Sequence, residues 1–260
     1  METRSLEGEV FLITGATSGI GAACAHALAA AGARVACGGR RTERLEKLAG
    51  ELGTDRALPV RMDVRSPADS RRLVDAALEA FGRVDGLIAG AGVGAYGGIL
   101  DHSDDTLATM IDTNVSGTIW PIRAVLPVLL DPRRPGGTGS GTGAAGNGKP
   151  AGGDIIIVAS VAGLRGGGHE AVYAATKSAQ IGLAGALDRE LAPRGIRVTS
   201  ICPAATKTEF AIGYGRSPGM PGMDDWLTAD DVAGAVLAVL RQPRRMRTQL
   251  WTMWSMSEVG

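Results

Sequence analysis

Cysteine, aromatic residues and net charge are all scarce in this sequence. Its 260 residues include three cysteines (Cys24, Cys37 and Cys202) and 4% Phe, Trp and Tyr, and 27 basic residues balance 27 acidic ones. Three isolated cysteines argue against a disulfide framework and predict reduced core thiols, as in a cytoplasmic protein. A neutral chain lacks the electrostatic footprint of nucleic-acid or anionic-membrane binding, so we predict neither partner.

Long apolar runs and metal-ligand clusters are missing as well. No apolar stretch reaches the roughly 18 residues that a membrane-spanning helix needs. The N-terminus also lacks the pattern of a signal peptide, so we expect no leader. His26, His102 and His169 are scattered along the chain, which predicts no metal site. What remains is a chain of the length expected for one large α/β domain.

The first strong pattern is a strand, a glycine-rich turn and a helix. The apolar run 9–14 is followed by TGATSGIG (14–21) and then by an alanine-rich helix. Such a unit binds phosphate, because the turn lets backbone N–H groups at the start of the helix approach it. The spacing is GxxxGxG rather than GxGxxG, so a purely structural glycine turn is the alternative. The residues predicted to bind a dinucleotide here are Gly15, Thr17, Ser18, Gly19, Ile20 and Gly21.

The second strand (33–39) ends at Arg40 and Arg41. An NAD enzyme carries an acidic residue at this point for the ribose 2′-hydroxyl, whereas a guanidinium pairs with a 2′-phosphate. We therefore predict NADP as the cofactor. The alternative is that both arginines only solvate the start of the following helix, 42–52.

Further polar or small residues follow the predicted strands 57–62, 83–92, 154–160 and 196–202. Ligands of doubly wound sheets bind at the carboxyl ends of the strands. The residues concerned are Asp63, Val64, Gly90, Ala91, Gly92, Ser160 and Pro203. The Asp63 carboxylate would accept a hydrogen bond from an adenine amino group. The small residues at 90–92 would let a cofactor ribose approach the backbone. Asn114 lies near the start of a predicted helix at 115–130, where a capping or packing amide is the ordinary interpretation.

Ser160, Tyr173 and Lys177 form the candidate catalytic set. Tyrosine and lysine four residues apart share one helix face. A neighbouring ammonium lowers the pKa of a phenol toward neutrality, which makes it a usable acid and base. The serine hydroxyl would hold a substrate oxygen beside that phenol. An ordinary surface pair of tyrosine and lysine is the alternative, because this spacing alone is common.

The alternation of strands and helices predicts a single α/β domain over 1–260. We expect a doubly wound Rossmann-type fold, a seven-stranded parallel sheet with helices on both faces. Two segments interrupt the alternation. Residues 132–153 have nine glycines in 22 positions, which predicts a flexible insertion. Residues 204–226 are rich in Gly, Pro and Met and predict a mobile loop over the substrate.

Taken together, these motifs resemble the short-chain dehydrogenase/reductase family over essentially the whole chain. The matching segments are TGATSGIG (14–21), Asp63-Val64, Asn114, Ser160 and Tyr173-x-x-x-Lys177. The resemblance implies that Tyr173 is the proton donor and acceptor, Ser160 orients the carbonyl, and Lys177 binds the nicotinamide ribose and lowers the tyrosine pKa. It further implies that Asn114 supports a proton-relay water, and that Pro203, Thr206 and Thr208 join the cofactor site.

The segments 110–114, 123–130 and 203–210 are also similar to a narrower branch of NADP-dependent reductases. That branch acts on 3-hydroxy acids, β-hydroxy amino acids and clavulanate-type aldehydes. The family usually forms dimers or tetramers through the helices at 114–130 and 172–193, which implies a homo-oligomer, and the apolar segment 250–256 is a further candidate contact. Three departures stand out: Ala89-Gly90-Ala91-Gly92 in place of Asn-Asn-Ala-Gly, Pro203-Ala204 in place of Pro-Gly, and the insertion at 132–153.

Two alternatives to this function stay open. One is a ketoreductase of secondary metabolism or a sugar or steroid dehydrogenase, with Tyr96, Met220, Met223 and Trp226 lining an apolar pocket. The other is a non-catalytic NADP-binding sensor or scaffold. His169, four residues before Tyr173, is a candidate for the mouth of the active site.

Overall fold

The computed structural model describes residues 3–131 and 152–258. Most of the glycine-rich insertion predicted at 132–153 lies outside the described residues, and only Gly152 and Gly153 fall within them. Nine strands are described, and they are β1 Val10–Thr14, β2 Arg34–Gly39, β3 Ala57–Arg61, β4 Gly86–Ala89, β5 Asp154–Val158, β6 Arg197–Pro203, β7 Thr206–Lys207, β8 Leu227–Thr228 and β9 Leu250–Met253.

Seven of these strands form one parallel sheet in the spatial order β3-β2-β1-β4-β5-β6-β9, and β7 pairs with β8 separately. The seven described helices are α1 Gly19–Ala30, α2 Thr42–Leu52, α3 Pro67–Phe81, α4 Asp104–Ile111, α5 Gly117–Leu129, α6 Ala171–Leu191 and α7 Ala229–Leu240. The prediction of a seven-stranded, doubly wound parallel sheet is confirmed.

Helices cover both faces of the sheet because the strands bury apolar side chains on both sides. On one face, α1, α2 and α7 pack on Phe11, Ile13 and other alternate strand residues. On the other face, α3, α5 and α6 pack on Leu12, Leu87 and Ile155. Helix α6 is therefore held on the sheet through its C-terminal half, where Ala184 and Leu191 join this core.

Helix starts follow the signals in the sequence. The Ser66 side chain accepts a hydrogen bond from the Asp69 N–H, with Pro67 in the first turn of α3. Thr228 and Asp231 form a reciprocal capping box at the start of α7, as their spacing predicts.

Two predicted elements have different bounds. The strand predicted at 83–92 is only β4, Gly86–Ala89, so Gly90 to Gly92 continue as irregular chain. The helix predicted to begin at 115 begins at Asp104 as α4, continues through a π-helical turn at Asp112–Ser116 and ends as α5. Asn114 therefore lies inside a wide turn of a longer helical segment, a geometry that is frequent at functional sites.

Candidate active site

A cavity of about 1300 Å³ opens at the carboxyl ends of the strands. It is lined by the following predicted residues: Gly15, Thr17, Ser18, Gly19, Ile20, Gly21, Arg40, Arg41, Asp63, Val64, Gly90, Ala91, Gly92, Ser160, Tyr173, Lys177, Pro203, Thr206 and Thr208. Of the predicted site residues, only Asn114 does not line it. Residues from seven separate chain segments thus share one cavity, as strand-end ligand binding requires.

Tyr173 lies in the first turn of α6, and its side chain is buried. Its ring packs between those of Tyr96 and Phe210, at centroid distances of 5.8 and 5.6 Å. Burial raises the pKa of the phenol well above its ordinary value, while the Ser160 hydroxyl and the Arg216 guanidinium act in the lowering direction. The phenol is therefore protonated in this state and ready to donate.

Ser160 follows β5 and faces Tyr173. Its hydroxyl accepts a hydrogen bond from the Ala162 N–H at 3.1 Å and donates to the Pro203 carbonyl at 3.4 Å. These two backbone contacts fix the hydroxyl at the ends of β5 and β6. The sequence argument assigned the lowering of the tyrosine pKa to Lys177. In the structure the strongest lowering influences come from Ser160 and Arg216 instead.

Lys177 lies one turn beyond Tyr173 on the same face of α6, as the spacing predicts. Its ammonium donates to the Val158 carbonyl at 3.0 Å and to the Gln180 side-chain oxygen at 2.9 Å. The nitrogen lies 5.7 Å from the centroid of the Tyr173 ring. Burial lowers the pKa of Lys177 to about 8. The lysine thus titrates near neutral pH while remaining anchored by two acceptors.

Asn114 acts as a structural amide in this geometry. Its side-chain oxygen accepts from the Val93 N–H at 2.8 Å, and its amide nitrogen donates to the Val93 carbonyl at 2.8 Å and to the Thr176 hydroxyl at 3.0 Å. Its backbone carbonyl accepts from Thr118 at 2.7 Å and from Gln180 at 2.9 Å. The implied role of Asn114 in supporting a proton-relay water stays a prediction, and these contacts hold its side chain against Val93 and Thr176.

Gln180 is a site residue that the sequence argument missed. Its buried amide joins Lys177 to the Asn114 carbonyl and also donates to the Thr118 hydroxyl at 2.7 Å. The signal was present, because Gln180 is three residues after Lys177 and therefore on the same helix face. A buried glutamine needs partners, and here they are Lys177, Asn114 and Thr118.

The glycine turn fits a dinucleotide phosphate. Gly15 has a φ of +74°, and a Cβ there would lie 2.7 Å from Ala91 Cα, so only glycine fits. A Cβ on Gly21 would lie 2.4 Å from the Gly15 carbonyl oxygen, which is why α1 can pack so closely on the turn. The first turn of α1 contains no acidic residue, which leaves its positive N-terminal end available to an anion.

Arg41 lies beside the glycine turn, in the region predicted to bind the cofactor. Its guanidinium donates to the hydroxyls of Thr17 and Ser18, both at 2.7 Å. The Glu209 carboxylate pairs with Arg41 at 3.2 Å and with Arg44 at 2.6 Å. Arg44, on α2, was not predicted, although it lies one helix turn from Arg41 and Arg40. The cluster carries a net positive charge beside the turn.

Asp63 also lies in the cofactor region, but its carboxylate has a partner within the chain. It pairs with Arg65 at 2.6 Å, and this hydrogen bond lowers the pKa of the Asp63 carboxyl. An adenine amino group would therefore share this carboxylate with Arg65.

Further aromatic and charged side chains line the cavity. They are Tyr96, Arg165, Glu170, Phe210, Tyr214, Arg216, Trp254 and Glu258. Of the four residues predicted to form an apolar pocket, Tyr96 lines the cavity, whereas Met220, Met223 and Trp226 do not. His169 is exposed with a φ of +62° and is not a lining residue.

Within 3–131 and 152–258, no helix is long and apolar enough to cross a bilayer, and no group of three His, Cys, Asp or Glu side chains could hold a metal.

Comparison with known proteins agrees with this geometry. The family profile described as short chain dehydrogenase matches residues 9–217. The chain belongs to the short-chain dehydrogenase family. It is therefore an oxidoreductase that acts on CH–OH or C=O groups, as we predicted from the motifs.

Three proteins illustrate the range of relatives of this short-chain dehydrogenase. An uncharacterized oxidoreductase of Staphylococcus aureus (strain MW2) is 32% identical over 238 residues, which cover 92% of this chain and 93% of that protein. The closed form of a serine dehydrogenase complexed with NADP⁺ has a TM-score of 0.83 at 28% identity, covering 96% of each chain. A 3-ketoacyl-(acyl-carrier-protein) reductase from Brucella melitensis, complexed with NADH, has a TM-score of 0.82 at 32% identity, covering 95% of this chain and 97% of that one.

The departure at Ala89-Gly90-Ala91-Gly92 has a visible structural setting in this short-chain dehydrogenase. Gly90 donates its N–H to the Ile88 carbonyl at 3.1 Å, and Ala91 donates to the Thr14 hydroxyl at 3.4 Å. Backbone contacts thus hold this segment beside the glycine turn. The adjoining Val93 is hydrogen-bonded by the side chain of Asn114. The amide of Asn114 thus supports a segment that has no asparagine of its own.

Proposed function

We propose that this protein transfers a hydride reversibly between NADP(H) and a carbonyl or alcohol group of a small molecule, with Tyr173 as the acid and base. The observation that carries the proposal is that Ser160, Tyr173 and Lys177 line the same cavity as the glycine turn. The nicotinamide, when bound, supplies or accepts the hydride. The cavity has room for both reactants.

Each catalytic side chain has a distinct task in carbonyl reduction. The Tyr173 hydroxyl donates its proton to the carbonyl oxygen as the carbonyl carbon gains the hydride, and the product is an alcohol. The Ser160 hydroxyl donates to the same oxygen and stabilises the charge that develops there. Lys177 holds the cofactor ribose, and the hydrogen bond from Ser160 favours the phenolate that remains on Tyr173. Oxidation runs through the same steps in reverse.

Tyr173→Phe tests this proposal. We expect turnover of NADPH with aldehydes and ketones to be abolished, while NADPH binding, measured by fluorescence titration, stays within about twofold of the wild type because the ring is retained. Tyr214→Phe is the matched control, since Tyr214 also lines the cavity but is exposed. Retained turnover in Tyr173→Phe would refute the assignment. NADPH binding without any turnover by the wild type would support the sensor or scaffold alternative.

We propose NADP rather than NAD as the preferred cofactor. Support comes from Arg40, Arg41 and Arg44 beside the glycine turn, and from the absence of an acidic residue at the end of β2. Replacing both Arg41 and Arg44 with alanine should raise the KM for NADPH on the order of 10- to 100-fold, because charge-assisted hydrogen bonds are lost. The KM for NADH should change little. Equal effects on the two cofactors would contradict the proposal.

We also propose that the substrates are 3-hydroxy acids, β-hydroxy amino acids or related aldehydes. The similarity of three segments to that branch supports this class, as does the likeness to a serine dehydrogenase. A substrate panel that includes sugar, polyketide and steroid alcohols separates this class from its rivals. The substrate that gives the highest kcat/KM decides between them.

Three further properties belong to the same proposal. Residues 204–226 act as the substrate loop, since Thr206, Phe210 and Arg216 all line the cavity. The protein forms a dimer or tetramer, a proposal supported by exposed apolar side chains such as Leu100 and Ile111 near α4. It resides in the cytoplasm, as its three buried free cysteines suggest. Sedimentation that gives only a 26.6 kDa species at micromolar concentration would contradict the oligomer.

A further inference from the structure

Arg216 occupies a position in the cavity that the catalytic steps do not use. It lies in the chain between β7 and β8, and its half-buried guanidinium stacks on three rings. The distances from Cζ to the ring centroids are 5.2 Å for Tyr96, 5.7 Å for Phe210 and 4.7 Å for Trp226. Aromatic faces attract a cation and restrict a planar guanidinium to one orientation. The side chain is therefore held in place before any ligand arrives.

Backbone contacts fix this arginine as well. The Arg216 N–H donates to the Ala211 carbonyl at 3.2 Å, and the Arg216 carbonyl accepts from the Gly213 N–H at 2.9 Å. Gly215, with a φ of +96°, brings the loop against Tyr96, since a Cβ there would lie 2.6 Å from the tyrosine Cβ. The loop is thus shaped to deliver the guanidinium beside Tyr96.

No carboxylate among the described residues lies within ion-pair distance of Arg216. Its polar contacts are neutral and long, to the Tyr96 hydroxyl at 3.3 Å and to the Thr206 carbonyl at 3.4 Å. The nearby Glu209 is paired with Arg41 and Arg44. Glu170 accepts from the Gly167 N–H at 2.7 Å. A half-buried cation without a counter-ion is costly unless a ligand supplies the negative charge.

The guanidinium is close enough to the reacting phenol for one small molecule to meet both. Tyr96 and Phe210, on whose rings Arg216 stacks, are the same two rings that pack against Tyr173. The positive charge of Arg216 also lowers the pKa of Tyr173 against the effect of burial. One ring width therefore separates the charge from the site of proton transfer.

We infer that Arg216 binds the carboxylate of the substrate and so selects small 3-hydroxy acids over uncharged alcohols. The planar guanidinium presents a fork of N–H donors that matches a carboxylate. This inference rests on the proposed function and adds the residue that recognises the acid. In oxidation, Tyr173 first releases its proton, the hydride leaves C3 of the acid for NADP⁺ and the hydroxyl proton goes to the Tyr173 phenolate, so the products are the 3-oxo acid, NADPH and a proton.

The test compares 3-hydroxybutyrate with its methyl ester, in which a methyl group is added and the negative charge of the recognised carboxylate is lost. In the wild type, kcat/KM for the acid should exceed that for the ester. Arg216→Met should lower kcat/KM for the acid on the order of 10- to 100-fold and change the ester by less than about threefold. Because the ester reports on the integrity of the same site, a misfolded variant is recognised by the loss of both activities. If Arg216→Met is misfolded, Arg216→Lys replaces it in the test. Lysine keeps the positive charge but lacks the paired N–H donors of the guanidinium, so this variant should lose a smaller part of the activity with the acid.

Arg165→Met is the matched control, because Arg165 also lines the cavity and stacks on an aromatic ring, that of Trp254, at 5.1 Å. It should leave the preference for the acid unchanged. Equal losses for acid and ester in Arg216→Lys, or the same acid-specific loss in Arg165→Met, would overturn the inference.

A binding measurement separates this inference from the proposed function. The inactive Tyr173→Phe variant, saturated with NADP⁺, should be stabilised against thermal unfolding by 3-hydroxybutyrate but not by the ester, and Arg216 should be required for that effect. Stabilisation by both compounds alike, or by neither, would overturn the carboxylate site. Tyr173-dependent turnover of uncharged alcohols would leave the proposed function intact in that event.

Discussion

Replacement of Gln180 by methionine tests whether the buried amide sets the proton affinity of Lys177. In the structure the Gln180 oxygen accepts from the Lys177 ammonium at 2.9 Å, and burial has already lowered the pKa of this lysine to about 8. A hydrogen bond to a charged group contributes about 1.5–3 kcal/mol, and about 1.36 kcal/mol corresponds to one pKa unit. Methionine fills a similar volume without an acceptor, so the pKa of Lys177 should fall by about 1–2 units.

The assay is the pH dependence of kcat/KM for NADP⁺, which reports the pKa values of the free enzyme. In the proposed function the ammonium form of Lys177 holds the ribose, so activity should decline as pH rises past the lysine pKa. That decline should move to lower pH by about 1–2 units in Gln180→Met. Gln180→Glu should move it to higher pH, because a carboxylate favours the ammonium. A shift in the same direction for both variants, or no shift in either, would refute the reasoning.

Two further predictions concern charged groups outside the catalytic set. Burial, the largest influence, raises the pKa of Glu9 from 4.5 to about 7, although Arg4 pairs with this carboxylate at 2.6 Å. The folded protein therefore binds a proton at Glu9 more tightly than the unfolded chain does. Its stability consequently falls as the pH rises from about 4.5 to about 7. Glu9→Gln should remove this loss of stability, so the variant should be more stable than the wild type by up to about 3 kcal/mol at pH 8 and by little at pH 5. Urea unfolding at the two pH values measures the difference. Equal effects at both pH values would contradict this prediction. Glu209→Gln should lower the Kd for NADPH by about two- to tenfold, because Arg41 and Arg44 would no longer be partly neutralised. Fluorescence titration measures this Kd. An unchanged or weaker affinity would show that Glu209 does not compete with the 2′-phosphate.

Much of the fold follows from local sequence patterns. The strand, glycine turn and helix at the N-terminus depend on contacts between near neighbours, so their residues could be placed from spacing alone. The same holds for Tyr173 and Lys177, because helical periodicity fixes their common face whatever surrounds them. These features predict the architecture, which is confirmed, and the candidate catalytic set.

Contacts between distant segments were not predictable in this way. Gln180 meets Asn114 only because the π-helical turn at Asp112–Ser116 packs against α6. Arg216 finds its three rings through a loop whose path depends on Tyr96, in another part of the chain. The role of Asn114 was inferred from a motif, whereas its bonds depend on a wide helical turn that tertiary packing stabilises against local preference.

Because of that wide turn, the site depends on how many residues the segment Asp112–Ser116 contains, and not only on which residues they are. An α-helix rotates by about 100° per residue, so deleting one residue within Asp112–Ser116 would yield a more regular helix in which Asn114 no longer faces Val93 and Thr176. The segment after β4 would lose its amide support, although every catalytic side chain would still be encoded. A single-codon deletion here could therefore abolish function while increasing helical order, an outcome that no substitution scan would reveal.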